Sequence, residues 1–421
     1  MIYQPLRNLE VIYRGWGEEW ALGRLAEGTV RGRWLFEFSA EALDRGIEFS
    51  PLQLPLSAET YADFEPHQER LPGFVADSLP DGWGRLLMDR LLRRNQFEPA
   101  SVSVLDRLAL LGEDTMGALT YRPLLSLPDK QDDEYNIHNL RELAQEVRQE
   151  VTGQHSDALR ELVRLGGSPH GARPKAVVEY NAITGDMGTT PVAGCEPWLV
   201  KFPSAQEEAW VCAMEEIYAR MARRAGIEFP VSQYFRLDGG LAAFGVRRFD
   251  RQAGMRIPVL SMAGALHADF RLPGLDYTQI LRATSLITRD VKEREVQARR
   301  MVFNVLMNNR DDHAKNFSFV LNEEGEWKVS PAYDLTFQDG PGGEHQSAVM
   351  GHGTRITRSI LLKAAQNAGI NASVMKPIIE EVAEVACGFI TVANELADDI
   401  PRNEIRVVAG RINENLSGLR R

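Results

Sequence analysis

The chain has 421 residues, 44% of them hydrophobic and 25% charged, enough for two to three domains with sizeable cores. Its 48 Lys and Arg stand against 59 Asp and Glu, and the net charge of -11 disfavours non-specific nucleic-acid binding by this chain alone. Cys195, Cys212 and Cys387 show no Cys-x-x-Cys spacing, which argues against a disulfide framework or a cysteine-rich zinc site and fits a reducing cytoplasm. The N-terminus lacks the pattern of a secretory leader, and no apolar run approaches membrane length, so a cytoplasmic protein with no membrane partner is expected.

In chain order, residues 1–60 hold short alternating stretches, LEVIY and RWLFEFS, broken by Gly and Pro, which predict a small β region. Asp81 in SLPDGWGRLLMDRLLRRNQ is placed as the N-cap of a helix with apolar residues at helical spacing from Leu86. DRLALLGEDTMGALTYRP reads as helix, Gly turn and strand, and the polar stretch 126–136 as a domain boundary. HNLRELAQEVRQEV and LRELVRL follow as helices, AVVEYNA and PWLVKFP as strands. EEAWVCAMEEIYARMARRAG is a helix stopped by Gly226, and VSQYFRLD and LAAFGVRRF are strands. From 275 onward the pattern is mostly helical, interrupted by FSFVLN and WKVSPAYD, with Asp334 at the end of the second. The Gly- and His-rich stretch 339–355 is expected to be a mobile loop.

Groups with phosphate chemistry recur along this plan. Gly166, Gly167 and Gly171 precede a strand starting near Lys175, and glycine lets backbone N–H groups approach phosphates. Ser168 lies among them, where an added phosphate would repel a nucleotide. Lys201 sits on an alternating strand, with Glu215 and Glu216 on the next helix as possible partners. In NNRDDHAKNFSF, Asp311 stands five residues before Asn316, the spacing of a kinase catalytic loop; Asp312 stands four before it. Asp334 follows as an acidic group for Mg²⁺. HADF, 267–270, resembles a kinase dipeptide but precedes the catalytic loop and lacks the following Gly, so it is set aside. Any one of these is a weak signal; their order, from Gly-rich loop through strand lysine, helix glutamate and Asp/Asn loop to metal aspartate, is the stronger one.

Across nearly its whole length the sequence resembles the HipA family, serine/threonine kinase toxins of bacterial toxin–antitoxin modules. NNRDDHAKNFSF is the most specific match, to an Asn-x-Asp-x-His-Ala-Lys-Asn loop; SPHGARPK, VKFPS, AMEEIYARMARRAGI, VRRFDR and PAYDLTF match in order. LPLSAETY, SLPDGWGRLLMDRLL and LLGEDTMGALTY resemble the family's N-terminal subdomain. The resemblance implies an α+β, bilobal protein-kinase-like fold: an N-terminal β-rich subdomain at 1–125, a kinase-like N-lobe with the Gly-rich loop at 126–252, and an all-helical C-lobe at 253–421. It implies Asp311 as catalytic base, Asn316 and Asp334 as Mg²⁺ ligands, and Lys201 on the ATP phosphates paired with Glu215. Loop residues His170, Gly171, Ala172, Arg173 and Lys175 would cover the phosphates, Arg247, Arg248 and Phe249 would form the hinge near adenine, and His313, Lys315 and Tyr333 would line the nucleotide. Ser168 would be an inactivating autophosphorylation site.

The implied partners are a HipB-like DNA-binding antitoxin, through which operator DNA is mainly reached, and a protein substrate such as an aminoacyl-tRNA synthetase. Pro169 and His170 depart locally from the family's Gly-rich loop, and Arg310 and Asp312 vary the positions flanking the base; none of them removes a required group. A non-toxic, stand-alone HipA-like regulator is the alternative reading. A metallohydrolase using His313, Asp311, Asp312 and His352 is a third, and it lacks a firm ligand spacing.

Overall fold

A computed structural model gives the structure and describes residues 4–127, 137–154, 156–167, 169 and 171–419. The chain divides into two compact units, Met1–Ala209 with Gln233–Val259, and Trp210–Ser232 with Leu260–Arg421. Most of the boundary stretch 126–136 lies outside the described residues.

The first unit contains two larger antiparallel sheets and a short two-stranded one, Arg251–Gln252 with Met255–Arg256. In the first, strands run in the order Trp34–Phe38, Trp20–Glu27, Asn8–Tyr13, Leu119–Arg122. Leu9, Val11, Leu22, Leu25, Phe36 and Tyr121 are fully buried in it. The alternation of LEVIY and RWLFEF thus marks real strands. The central strand WALGRLAE goes unnoticed in the sequence because Gly23 interrupts its pattern.

The second sheet has the order Met187–Gly188, Lys175–Tyr180, Glu196–Lys201, Leu241–Arg247, Ser232–Leu237. Alternate residues point to opposite faces. Ala176, Val178, Tyr180, Trp198 and Val200 form one core with residues of the helices Gly82–Arg94, Leu140–Val151 and Leu159–Gly166. Lys175, Val177, Leu199, Lys201, Phe244 and Val246 belong to the other face by the same parity.

The second unit is mainly helical, with Trp210–Arg224, Tyr277–Thr288, Val291–Leu306, Arg358–Asn367, Ala372–Cys387 and Arg402–Gly418 as its longer helices. Gly226, at φ 69°, follows the first of these, as its position in the sequence suggests. Asp290 caps the Val291 helix by accepting from the Lys292 N–H at 2.9 Å.

The expectation of an all-helical C-terminal lobe needs correction. Ser318–Leu321 and Trp327–Val329 form an antiparallel hairpin, and Leu275–Asp276 pairs in parallel with Ser347–Ala348. Phe319, Leu321, Trp327 and Val329 are all buried, so this hairpin is part of the core. The second strand stops at Val329, before Pro331, so Asp334 does not end a strand.

The segment 339–355 also departs from expectation. It contains a short helical turn at Pro341–Gly343, the strand Ser347–Ala348 and a bridge between Val349 and His352. Buried His345 and Ser347 hold it by hydrogen bonds to Asp312, which its glycine content conceals.

Candidate active site

In the first unit the Gly-rich loop is gripped by the start of the Gly82 helix. Asp81 does begin that helix, yet its side chain makes no cap bond there. Its Oδ1 instead accepts from the Gly171 N–H at 2.5 Å. The Trp83 N–H donates to the Gly171 carbonyl at 3.2 Å, and Trp83 Nε1–H to the Lys175 carbonyl at 3.0 Å. Two glycines make this approach possible: a Cβ on Gly82 would lie 2.6 Å from the Gly171 oxygen, and one on Gly84 would lie 2.3 Å from the Gly167 oxygen. Gly171 itself stands at φ 103°, a conformation that suits glycine. Ser168 and His170 lie outside the described residues.

Lys175 and Lys201 are directly opposite in the strand register and both are buried. Like charges so placed repel one another unless an anion or acidic group offsets them. Lys201 Nζ also lies 5.9 Å from the Phe244 ring centre. Ala172 is exposed, and Arg173 Nε is 3.2 Å from a Glu207 carboxylate oxygen.

Arg247 and Arg248, expected near adenine, are engaged with acidic side chains. Arg247 shares the Trp198 face of the sheet, opposite to that of Lys201, and reaches Glu196 at 3.3 Å. Arg248 bonds Asp250 through Nε and Nη2 at 2.8 and 2.7 Å. Asp250 is buried and also accepts from Arg251 at 2.8 Å and from the Gly117 N–H at 2.7 Å. Burial alone would raise its pKa, but Arg248 and Arg251 outweigh that and hold it well below the usual carboxylate range. Phe249 is half-buried.

In the second unit the helix Val291–Leu306 leads into the Asp/Asn loop. Asn308 adopts φ 56°, a left-handed conformation that Asn tolerates, and its Nδ2 donates to the Gln338 carbonyl at 3.0 Å. Asn309 Nδ2 donates to Asn304 Oδ1 at 3.0 Å.

The two aspartates then diverge. Asp311 keeps 40% of its side chain exposed, whereas Asp312 keeps 0%. Asp312 Oδ2 accepts from the Tyr277 hydroxyl at 2.8 Å and lies 2.8 Å from His345 Nδ1. Its Oδ1 accepts from the Gln346 and Ser347 N–H groups at 2.9 and 3.2 Å. Asn304 Nδ2 donates to the Tyr277 oxygen at 2.9 Å. Burial first, then the Asp312 charge, push the Tyr277 hydroxyl well above the usual phenol range, so it stays a donor at neutral pH.

Asn316 Nδ2 donates to the Asp311 carbonyl at 2.6 Å, which closes the loop between the two. His313 Nε2 lies 3.8 Å from Asp311 Oδ1, and His313 Nδ1 accepts the Lys315 N–H at 3.2 Å. The Tyr333 hydroxyl donates to the Lys315 carbonyl at 2.6 Å and is 2.5 Å from Ser318 Oγ, so it ties Asp334's neighbour to this loop. Asp334 adopts φ 53°. Glu215 is buried on the helix Trp210–Arg224. The adjacent Glu216 is already engaged, with Arg220 Nε at 2.8 Å and Ser232 Oγ at 2.6 Å.

One member escaped sequence reasoning. Phe270, in the HADF segment set aside above, has Lys315 Nζ 4.3 Å from its ring centre and the His313 ring 5.7 Å away. Only the aromatic residue itself was visible in the sequence; its packing against the loop was not.

A model of the HipA N-terminal domain matches residues 14–122, and a model of the HipA-like C-terminal domain matches 167–388, over half of the chain. The chain belongs to the HipA family. HipA of Shewanella oneidensis MR-1, solved in complex with HipB and operator DNA, aligns over 97% of this chain and 96% of its own with a TM-score of 0.69 and 19% identity, a likeness of α+β fold. The Sinorhizobium fredii protein named "Putative kinase Y4dM" is 28% identical over 321 residues, 72% of each chain. Among the described residues of this HipA-family chain no helix is long and apolar enough to cross a membrane.

Proposed function

We propose that this HipA-family chain is an ATP- and Mg²⁺-dependent serine/threonine protein kinase with Asp311 as its base. The observation that carries the reading is the contrast between the aspartates: Asp311 is open to a substrate, whereas Asp312 has donors on both oxygens in a buried site. A base must be reachable by the hydroxyl whose proton it takes. That proton would pass to Asp311 as the hydroxyl oxygen bonds the γ-phosphorus and the bond to the ADP oxygen breaks.

Asn316 and Asp334 offer the hard oxygen donors that Mg²⁺ prefers, and they would hold the ion together with phosphate oxygens. The bound ion would neutralise charge on the transferring phosphoryl group. Among the described residues no three His, Cys, Asp or Glu gather as metal ligands, which suits an ion shared with phosphates and leaves the metallohydrolase reading without a site there. Lys201 and Lys175 would contact ATP phosphates; the opposed, buried lysines of the sheet support this. His313, Lys315 and Phe270 would line the nucleotide.

By likeness to the relatives, the chain is the toxin of a HipBA-type pair, bound by a HipB-like antitoxin that supplies most of the affinity for operator DNA. Its substrate is a translation component such as an aminoacyl-tRNA synthetase, and phosphorylation of Ser168 inactivates it. Incubation with labelled ATP and a panel of purified aminoacyl-tRNA synthetases tests the substrate. Asp311→Gln is expected to abolish phosphoryl transfer without loss of fold; autophosphorylation at the wild-type rate in that variant would overturn the assignment. Mass spectrometry is expected to place autophosphorylation at Ser168.

A further inference from the structure

We propose that Gln346 is a positioning residue for the Asp311 carboxylate and that buried Asp312 is the anchor that delivers it. The inference rests on the phosphoryl-transfer reading of the same site.

Gln346 Nε2 donates to Asp311 Oδ1 at 2.8 Å. An amide donor on an ionised carboxylate makes a charge-assisted bond, stronger than a neutral one. A carboxylate held at one oxygen loses its freedom to rotate about its last torsion. The other oxygen is then presented in one direction, which is what proton abstraction from a bound hydroxyl requires.

Gln346 comes from a segment that would not hold still unaided. Gly340, Gly342, Gly343 and Gly351 flank it, all at positive φ. Its position is set through three consecutive residues that grip Asp312. His345 Nδ1 lies 2.8 Å from one carboxylate oxygen, and the N–H groups of Gln346 and Ser347 donate to the other. Ser347 Oγ donates to the Asp312 carbonyl at 2.5 Å. The middle residue of the three turns its side chain back to Asp311. Tyr277, itself held by Asn304, completes the anchor. Asp312 thus acts through Gln346, and the orientation of the base depends on the docking of 345–347.

The test uses the full chain with Mg²⁺ and labelled ATP, following autophosphorylation and ADP release. Gln346→Leu keeps the volume and removes the donor; Gln346→Glu sets a second carboxylate against Asp311. We expect kcat to fall about 10-fold in the first and on the order of 100-fold in the second, because orientation is lost and then opposed. KM for ATP is expected to stay within about twofold, since the bond orients the base and does not bind nucleotide. Equal losses in the two variants, no loss, or a loss matched by a rise in the ATP KM would overturn the proposal.

A second measurement does not depend on catalysis. Gln346→Glu is expected to lower the thermal midpoint by about 2 °C, through carboxylate repulsion, and to do so far less in an Asp311→Asn background. Equal effects in both backgrounds would sink the contact. Failure of the kinase reading looks different: neither wild type nor Asp311→Gln transfers phosphate, while the midpoint difference between backgrounds persists.

Discussion

Gly84→Ala tests whether the N-terminal helix sets the Gly-rich loop. The added Cβ would sit 2.3 Å from the Gly167 carbonyl oxygen and 3.1 Å from that of Gly166. A non-bonded carbon–oxygen contact needs about 3.3 Å, so the backbone must yield by roughly 1 Å, at the ~1–3 kcal/mol typical of overpacking. Alanine is favoured over glycine in a helix by ~1 kcal/mol, which offsets part of that cost. The net loss of stability is then at most ~2 kcal/mol, a shift of several degrees in the midpoint. Function is more sensitive, because a displacement of ~1 Å in a positioning element costs on the order of 100-fold. The expected result is a large rise in KM for ATP, or fall in kcat/KM, beside a modest drop in melting temperature. Gly410→Ala is the control: this helix glycine has open space around its Cβ position, and the variant is expected to gain stability with unchanged kinetics. An ATP KM within twofold of wild type in Gly84→Ala would refute the coupling.

Asp250→Asn strands Arg248 and Arg251 in a buried site and is expected to cost ~3–5 kcal/mol in denaturant melts at pH 7. Because the Asp250 pKa is depressed, its contribution is complete above the unfolded carboxyl value and is lost as pH falls through the folded one. The gap between wild type and variant is therefore expected to be constant from pH 7 to about 5 and to narrow only below about pH 4; narrowing above pH 5 would count against it. Tyr218→Phe removes the bond from a fully buried hydroxyl to the Met307 carbonyl at 2.5 Å and is expected to lower stability by ~1–3 kcal/mol in the same melts. Asp334→Asn keeps a residue that tolerates φ 53° and is expected to lose phosphoryl transfer at nearly unchanged stability, whereas Asp334→Ala is expected to lose ~1–2 kcal/mol as well.

Local signals were legible wherever a short stretch decides the outcome. Strand alternation in LEVIY and PWLVKFP, the Gly226 stop and the helical spacing of VQARRMVFNVLM correspond to elements that form. The Asp311–Asn316 spacing of five corresponds to a loop closed by a hydrogen bond between the two. What could not be read depends on distant partners. Asp81 looks like a cap by sequence, but its acceptor is used by Gly171, 90 residues away. Glycine content made 339–355 look mobile, because nothing local reveals that Asp312 holds its centre. Arg248 sits in a motif that suggests a ligand edge, yet Asp250 takes its Nε and Nη2, and Asp250 is itself held by the Gly117 N–H, 133 residues away. Phe270 was discarded on motif grounds, and its role lies in packing on His313 and Lys315.

Asp311 and Asp312 carry the same side chain and adjoin in sequence, so chemistry alone cannot divide their roles; their surroundings do. Alternation of direction along an extended loop sends one carboxylate outward and the other into the core. The inward one meets a phenol, an imidazole nitrogen and two backbone N–H groups. A buried charge with that many donors is stable where it lies and is inaccessible to a substrate. The outward one accepts an amide N–H from Gln346 and keeps open surface. On the proposed reading, moving the base one position along the chain would both expose a charge that the core holds and bury the one proposed to take the substrate's proton. The spacing of five to Asn316 and the burial of Asp312 are two independent reasons for the same assignment, one local and one tertiary.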